Sequence, residues 1–223
     1  MTRTTRTKFA AVRLARRLTI GVAALATGVG VSLATPAPAS AEYAATSSTE
    51  LASDATHALW LLVRWQDSGE LAHYTTYVRA RLDAAESMAA ELGLSGVALD
   101  AEWGAADVDK QHVLLAAMSQ LGVPYRSRMS KPGRGFDCSG LVHFAYAQAG
   151  IALPRSSGDQ IGAARQIDRA ALQPGDLVYY PGHVSMYLGD GLVIHSPQPG
   201  QEVEVREMYT RSLRFGDATD VQI

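Results

Sequence analysis

The chain has 223 residues, 47% apolar and 19% charged, with a formal charge of −2 and one cysteine; such a chain folds into one or two domains and is not disordered. Arg3, Arg6, Lys8, Arg13, Arg16 and Arg17 all precede residue 42 and no acid does, which leaves 14 basic against 22 acidic residues, or −8, in the remainder. That acidic remainder argues against a nucleic-acid binder, and the lone Cys138 excludes an internal disulfide framework and any multi-cysteine zinc site.

Six cations in residues 1–17 are followed by the uncharged Ala-, Val-, Leu- and Gly-rich run Leu18–Ala34, then Pro36, Pro38 and Ala39-Ser40-Ala41. A charged region, an apolar region and a small-x-small site, in that order, predict a signal peptide over residues 1–41, cleaved after Ala41. The alternative is a retained membrane anchor, although the run is just short of a comfortable span. Arg16-Arg17 hints at twin-arginine export, but the Leu18-Thr19-Ile20 that follows is a weak match. No later apolar run is long enough to span a bilayer, so the mature protein is expected outside the cell. In that setting an unpaired cysteine is either a buried filler or a reactive thiol.

Residues 42–105 form a helical N-terminal region, rich in Ala and without proline. Leu51, Ala55, Leu59, Leu62 and Val63 repeat at helical spacing, as do Tyr74, Tyr77, Val78, Leu82, Ala85, Met88, Ala89 and Leu92, with Gly93 as the C-cap. The two runs pair as a helical hairpin, and Leu94–Ala105, with Gly96 and Gly104, reads as a linker. Trp60, Trp65 and Trp103 read as core or interface aromatics, and His57 and His73 as surface or packing residues. The hairpin is either a stalk or a restraint leaning over the catalytic half.

Residues 106–223 read as a second domain. Asp107 caps a helix running to about Leu121, with Val113, Leu114, Ala117 and Leu121 on one face and His112 on a polar face. After a glycine-rich loop a helix starts near Cys138 and stops at Gly150. Strands follow at Leu177–Tyr180, His183–Leu188, Leu192–His195 and Glu202–Arg206, separated by turn residues. Helices followed by an antiparallel meander make an α+β fold.

Asp137 caps the Cys138 helix, so the thiol lies where free N–H groups and the helix dipole favour a thiolate nucleophile and an oxyanion. The base is sought at His183 and His195. If Gly189–Gly191 is a three-residue loop pairing Leu188 with Leu192, His195 lies opposite Ser185 and on the same face as His183. One imidazole then takes the thiol proton and the other orients it. A two-residue turn would put His195 on the opposite face. His143, roughly 140° around the helix from Cys138, is not placed to be the base.

These pieces resemble the NlpC/P60 family of papain-like cell-wall peptidases. The resemblance runs through Gly122-Val123-Pro124-Tyr125, Phe136-Asp137-Cys138-Ser139-Gly140-Leu141-Val142, Leu153-Pro154-Arg155-Ser156-Ser157 with Gln160, Leu172-Gln173-Pro174-Gly175-Asp176-Leu177, Gly182-His183-Val184 with Tyr187-Leu188-Gly189, and Ile194-His195-Ser196. It implies Cys138 as nucleophile, His183 as base and His195 as orienting residue. It also implies substrate contacts from Tyr125, Asp137, Ser139, Arg155 and Ser157. The implied activity is hydrolysis of the γ-D-glutamyl–diamino acid bond in peptidoglycan stem peptides, without metal or cofactor, by a protein associated with the cell wall. An acyl- or amidotransferase using the same Cys-His site, and a catalytically silent wall-binding protein, are the alternatives. Ser185 replaces the family's usual smaller residue. The basic loop Arg126–Arg134 is either a solvated surface or a contact to the acidic stem peptide. The resemblance does not reach residues 42–105.

Overall fold

The computed structural model describes the backbone of residues 39–209 and 213–221, with side chains from residue 48 onward. The expected leader lies outside these residues except for Ala39-Ser40-Ala41, which open the first helix. Among the described residues no helix is long and apolar enough to cross a membrane.

The two helical runs form α1 (Ala39–Ser68) and α2 (Leu71–Leu92). Gly93 ends α2 with φ 69°, its N–H bonding back to the Ala89 carbonyl, as a left-handed C-cap residue does. The expected linker is instead a third helix, α3 (Gly96–Ala105), capped by Ser95, whose hydroxyl accepts from the Ala98 N–H. Its glycine is a contact rather than a hinge: a Cβ on Gly96 would lie 2.7 Å from Glu86 Cα of α2. Leu99 and Trp103, four residues apart, are 2% and 1% exposed, so this helix is held by tertiary burial that its short, glycine-bearing sequence does not advertise. Trp60, read as a core or interface aromatic, lies outside the core; it is 54% exposed, with His57 stacked beside it. His73 is a surface residue bonded to Arg64 and Ser68.

Helix α4 (Val108–Met118) is buried on every side, from Lys110 to Met118. The polar face assigned to His112 is therefore covered, and the imidazole is 8% exposed. Lys110 carries its charge into the core, where Nζ meets Asp176 Oδ1 at 2.8 Å and Asp217 Oδ2 at 3.0 Å. A buried cation needs such partners, and this pairing ties α4 to the sheet. There follow a small hairpin of β1 (Ser130–Lys131) and β2 (Gly135–Phe136), then α5 (Cys138–Gln148) and α6 (Ser157–Ala163).

The sheet comprises β3 (Arg165–Ile167), β4 (Leu177–Tyr180), β5 (His183–Gly189), β6 (Leu192–His195), β7 (Glu204–Glu207) and β8 (Arg214–Asp217). Its order is β3-β8-β4-β5-β6-β7, and every pair is antiparallel. The β4–β7 meander is the expected one, with β7 starting two residues later than predicted because Glu202 makes only an isolated bridge to Pro124. β3, β8 and α6 are too short to show a period in the sequence. The α+β class holds. The main apolar core runs from Leu62, Tyr77 and Met88 through Leu99, Trp103 and α4 to Leu141, Val184, Met186 and Ile194, a smaller cluster gathers Val178, Val193 and Met208, and the described residues form one compact unit.

Candidate active site

The first turn of α5 is held from three directions. Asp137, extended at φ −93° and ψ 177°, caps it with Oδ1 accepting from the Gly140 N–H at 2.7 Å. Arg155 donates to Asp137 Oδ2 at 2.9 Å, to Ser139 Oγ at 2.8 Å and to the Met129 carbonyl at 3.2 Å. The fully buried Gln160 donates Nε2 to the carbonyls of Ser139 and Pro154, each at 2.9 Å. Gly140 is required here, because a Cβ would fall 2.1 Å from the Met129 carbonyl oxygen.

Cys138, half-buried and unpaired, opens this turn. Burial pushes its thiol up; hydrogen bonds from the backbone N–H groups of Val184, Ser139 and Cys138 itself pull it down, Asp137 pushes it up, and burial prevails. Burial thus holds the thiol above its ordinary range, against the lowering that a helix N-terminus supplies. Its N–H donors count most when charge develops on the sulfur.

The two histidines meet, by a route the sequence reading did not foresee. Asp190 and Gly191, at φ 49° and 76°, form a two-residue turn, with Gly189 paired to Leu192. Positive φ at both central positions marks a type I′ turn. Taken alone, that turn would put His195 on the wrong face. A β-bulge between Tyr187 and Gly189 restores the register, so that Tyr187 pairs with Val193 and Met186 with Ile194. Leu188 is the extra residue, and one extra residue shifts the side-chain alternation by one. His195 therefore falls opposite Ser185, on the His183 face. Helix α3 pins the bulge: Trp103 Nε1 donates to the Leu188 carbonyl at 2.7 Å, and Glu102 Oε2 accepts from the Asp190 N–H at 3.2 Å.

His183 Nε2 lies 2.8 Å from His195 Nδ1, with the rings edge to face at 87°. Tyr180 stacks on His183 at 4.8 Å. Burial, reinforced by the Arg206 cation, pushes His183 down to about 4. Burial, then His183 and Arg206, pushes His195 down to about 3. Both imidazoles are neutral near pH 7. With Nε2 engaged by His195, Nδ1 of His183 is the nitrogen left to act as a base.

The residues of the implied substrate cleft separate into two groups. Asp137, Ser139 and Arg155 line one cleft together with Arg128, Ser156 and Asp159. Tyr125 lies in a neighbouring recess with Pro124, Arg126 and Glu202. Burial, Asp137 and Cys138 all push its phenol up. Ser157 is the first residue of α6, but its neighbour Ser156, the N-cap, is the one that lines the cleft. Sequence reading left Arg128, within the basic loop 126–134, open between a solvated surface and a substrate contact, and it gave no role to Ser156 or Asp159, because an ST turn before a helix is too common to single out alone. The Val184 N–H at the sulfur leaves no side-chain signature at all. Among the described residues no cluster of His, Cys, Asp and Glu could hold a metal ion.

The NlpC/P60 family model matches residues 122–214. A probable endopeptidase of Mycobacterium tuberculosis is 46% identical over 103 residues, 45% of this chain and 26% of that protein. MepH, a murein DD-endopeptidase of Escherichia coli, is 40% identical over 101 residues, 41% of this chain and 37% of that protein. The chain thus spans about a quarter to two fifths of the length of these relatives. The crystal structure of the P60 domain from a Mycobacterium avium subspecies paratuberculosis antigen is 32% identical, covering 52% of this chain and 96% of that one, with a TM-score of 0.45.

Proposed function

Residues 122–214 of this chain match the NlpC/P60 family, and from that premise we propose that the protein is a secreted cysteine endopeptidase of peptidoglycan stem peptides, cutting the bond between γ-D-glutamate and the diamino acid. The observation that carries the reading is the 2.8 Å contact between His183 Nε2 and His195 Nδ1, on the strand whose Val184 N–H meets the Cys138 sulfur. Two neutral imidazoles and a thiol that burial holds above its ordinary range suit general-base activation of a nucleophile.

The Cys138 sulfur attacks the scissile carbonyl while its proton passes to His183 Nδ1. The oxyanion is met by N–H groups of the α5 first turn. Collapse breaks the C–N bond; the leaving amine takes the proton from His183, and a thioester remains on Cys138. Water then attacks the thioester, giving its proton to His183. Release of the carboxylic acid returns that proton to the sulfur. His195 holds the His183 ring through both halves. Arg128 and Arg155 give the cleft a cationic wall suited to the carboxylates of a stem peptide. The charged, apolar and small-residue order of residues 1–41 supports secretion, and peptidoglycan lies outside the membrane.

The deciding experiment is mass spectrometry of purified muropeptides after digestion by the mature protein. Fragments ending in γ-D-glutamate support the reading. Cleavage only at the D,D-crosslink, the bond in the name of the Escherichia coli relative, overturns the bond assignment and keeps the chemistry. Intact muropeptides overturn both.

A further inference from the structure

His195 Nδ1 is accounted for by His183, whereas its other nitrogen is not. Nε2 is buried and has no hydrogen-bond partner among the described residues, on a side chain only 2% exposed. A ring N–H so placed costs free energy until something accepts it. Glu204 Oε1 lies 3.4 Å away, within ion-pair distance, but makes no hydrogen bond to it. With His195 neutral, the contact is not a salt bridge. Glu204 is also the β7 residue registered directly opposite His195 on β6, where side chains of an antiparallel pair stand on one face within reach. Its side chain is 38% exposed, so a small rotation closes the bond without repacking the core.

Accepting the proposed peptidase reading, we propose that Glu204 is a positioning residue which sets the tautomers of both histidines. The carboxylate accepts the His195 Nε2 proton. Neutral His195 then carries its lone pair on Nδ1 and accepts from His183 Nε2–H. Neutral His183 in turn carries its lone pair on Nδ1, the nitrogen that must take the thiol proton. One acceptor at the solvent end of the relay thereby determines which nitrogen of His183 is basic. Reversing either tautomer would place a proton where the thiol proton must go. Burial pushes the Glu204 carboxyl up, Arg206, two residues along β7, opposes that, and Glu202 adds to it.

The test is 15N NMR of the mature Cys138→Ala protein labelled at histidine, combined with kinetics of variants that keep Cys138. The expected spectrum shows His195 with a protonated Nε2 and an unprotonated Nδ1, and His183 with the same pattern. Glu204→Gln keeps an acceptor oxygen and should keep these signals, with kcat within about threefold of the parent. Glu204→Leu should scramble the tautomers and lower kcat at least tenfold with KM little changed. A His195 that carries its proton on Nδ1 in the parent overturns the inference, as does a folded Glu204→Leu protein with unaltered tautomers and kcat. The NMR measurement needs no turnover. A protein that cuts no muropeptide but shows the expected tautomers would therefore refute the peptidase reading and leave the relay standing. Should Glu204→Leu not fold, the parent spectrum and the Glu204→Gln comparison still decide.

Discussion

Trp103→Phe isolates the part of the site that lies farthest from it in sequence. The substitution retains most of the ring and its apolar burial but deletes the Nε1–H that reaches the Leu188 carbonyl at 2.7 Å. Leu188 is fully buried, so its carbonyl loses a partner that water cannot readily replace. An orphaned buried acceptor costs about 1–3 kcal/mol. That carbonyl belongs to the bulge which puts His195 on the His183 face, so part of the cost falls on the catalytic register. If about 1.4 kcal/mol of it reaches the transition state, the rate falls tenfold. Urea unfolding should show a lower midpoint with an unchanged m-value. Turnover of a soluble muropeptide should show kcat reduced by roughly three- to tenfold with KM nearly constant. A variant that loses the stability yet keeps full kcat would show that the bulge holds its register without the indole, and would refute the argument that α3 supports the active site.

Other consequences are as direct. Cys138→Ala should abolish hydrolysis and leave the fold intact, and more than a few per cent of residual activity would remove it as the nucleophile. His183→Ala should cost nearly as much, while His195→Gln should cost less because an amide can still bond the imidazole; the reverse ranking would exchange their roles. The pH profile should show kcat/KM falling on the acid side near pH 4 rather than near 6.5, because His183 must be neutral to act as base and is held at about 4. The same shift enters stability. The unfolded histidine protonates below about 6.5 and the folded one does not until about 4, so the unfolded state binds more protons in that window. Stability from this group is full above pH 6.5 and declines as pH falls towards 4, by about 3 kcal/mol. Urea titrations at pH 7 and pH 4.5 should show a smaller difference for His183→Gln than for the parent. A chain beginning at Ala106 should fail to fold natively, because Leu99 and Trp103, worth about 1.5–3 kcal/mol each when buried, belong to the core that also holds Val184 and Met186. Native near-ultraviolet circular dichroism from that fragment would contradict it.

The α+β class, the helix capped by Asp137 before Cys138, the Gly93 stop and the strands carrying His183 and His195 were legible in the amino-acid order. Each rests on short-range chemistry: an N-cap carboxylate three residues from the N–H it accepts, a residue able to adopt positive φ, or an alternation of period two. The Asp190-Gly191 turn was legible in the same way, but its consequence was not. A bulge adds a residue to one strand without any required side chain, so the sequence alone left both faces open to His195. Only the packing of α3 decided between them, through an indole 85 residues away from the carbonyl it binds. For the same reason Leu94–Ala105 reads as a linker: its two glycines signal flexibility until Glu86 and Arg81 of α2 are found pressed against them. The resting state of the thiol was likewise tertiary. A helix N-terminus lowers a cysteine pKa by local dipoles, whereas the desolvation that outweighs it comes from residues distant in the chain. Glu204 shows the limit most clearly, being an ordinary surface-type residue in the sequence that β6–β7 pairing sets opposite a buried imidazole.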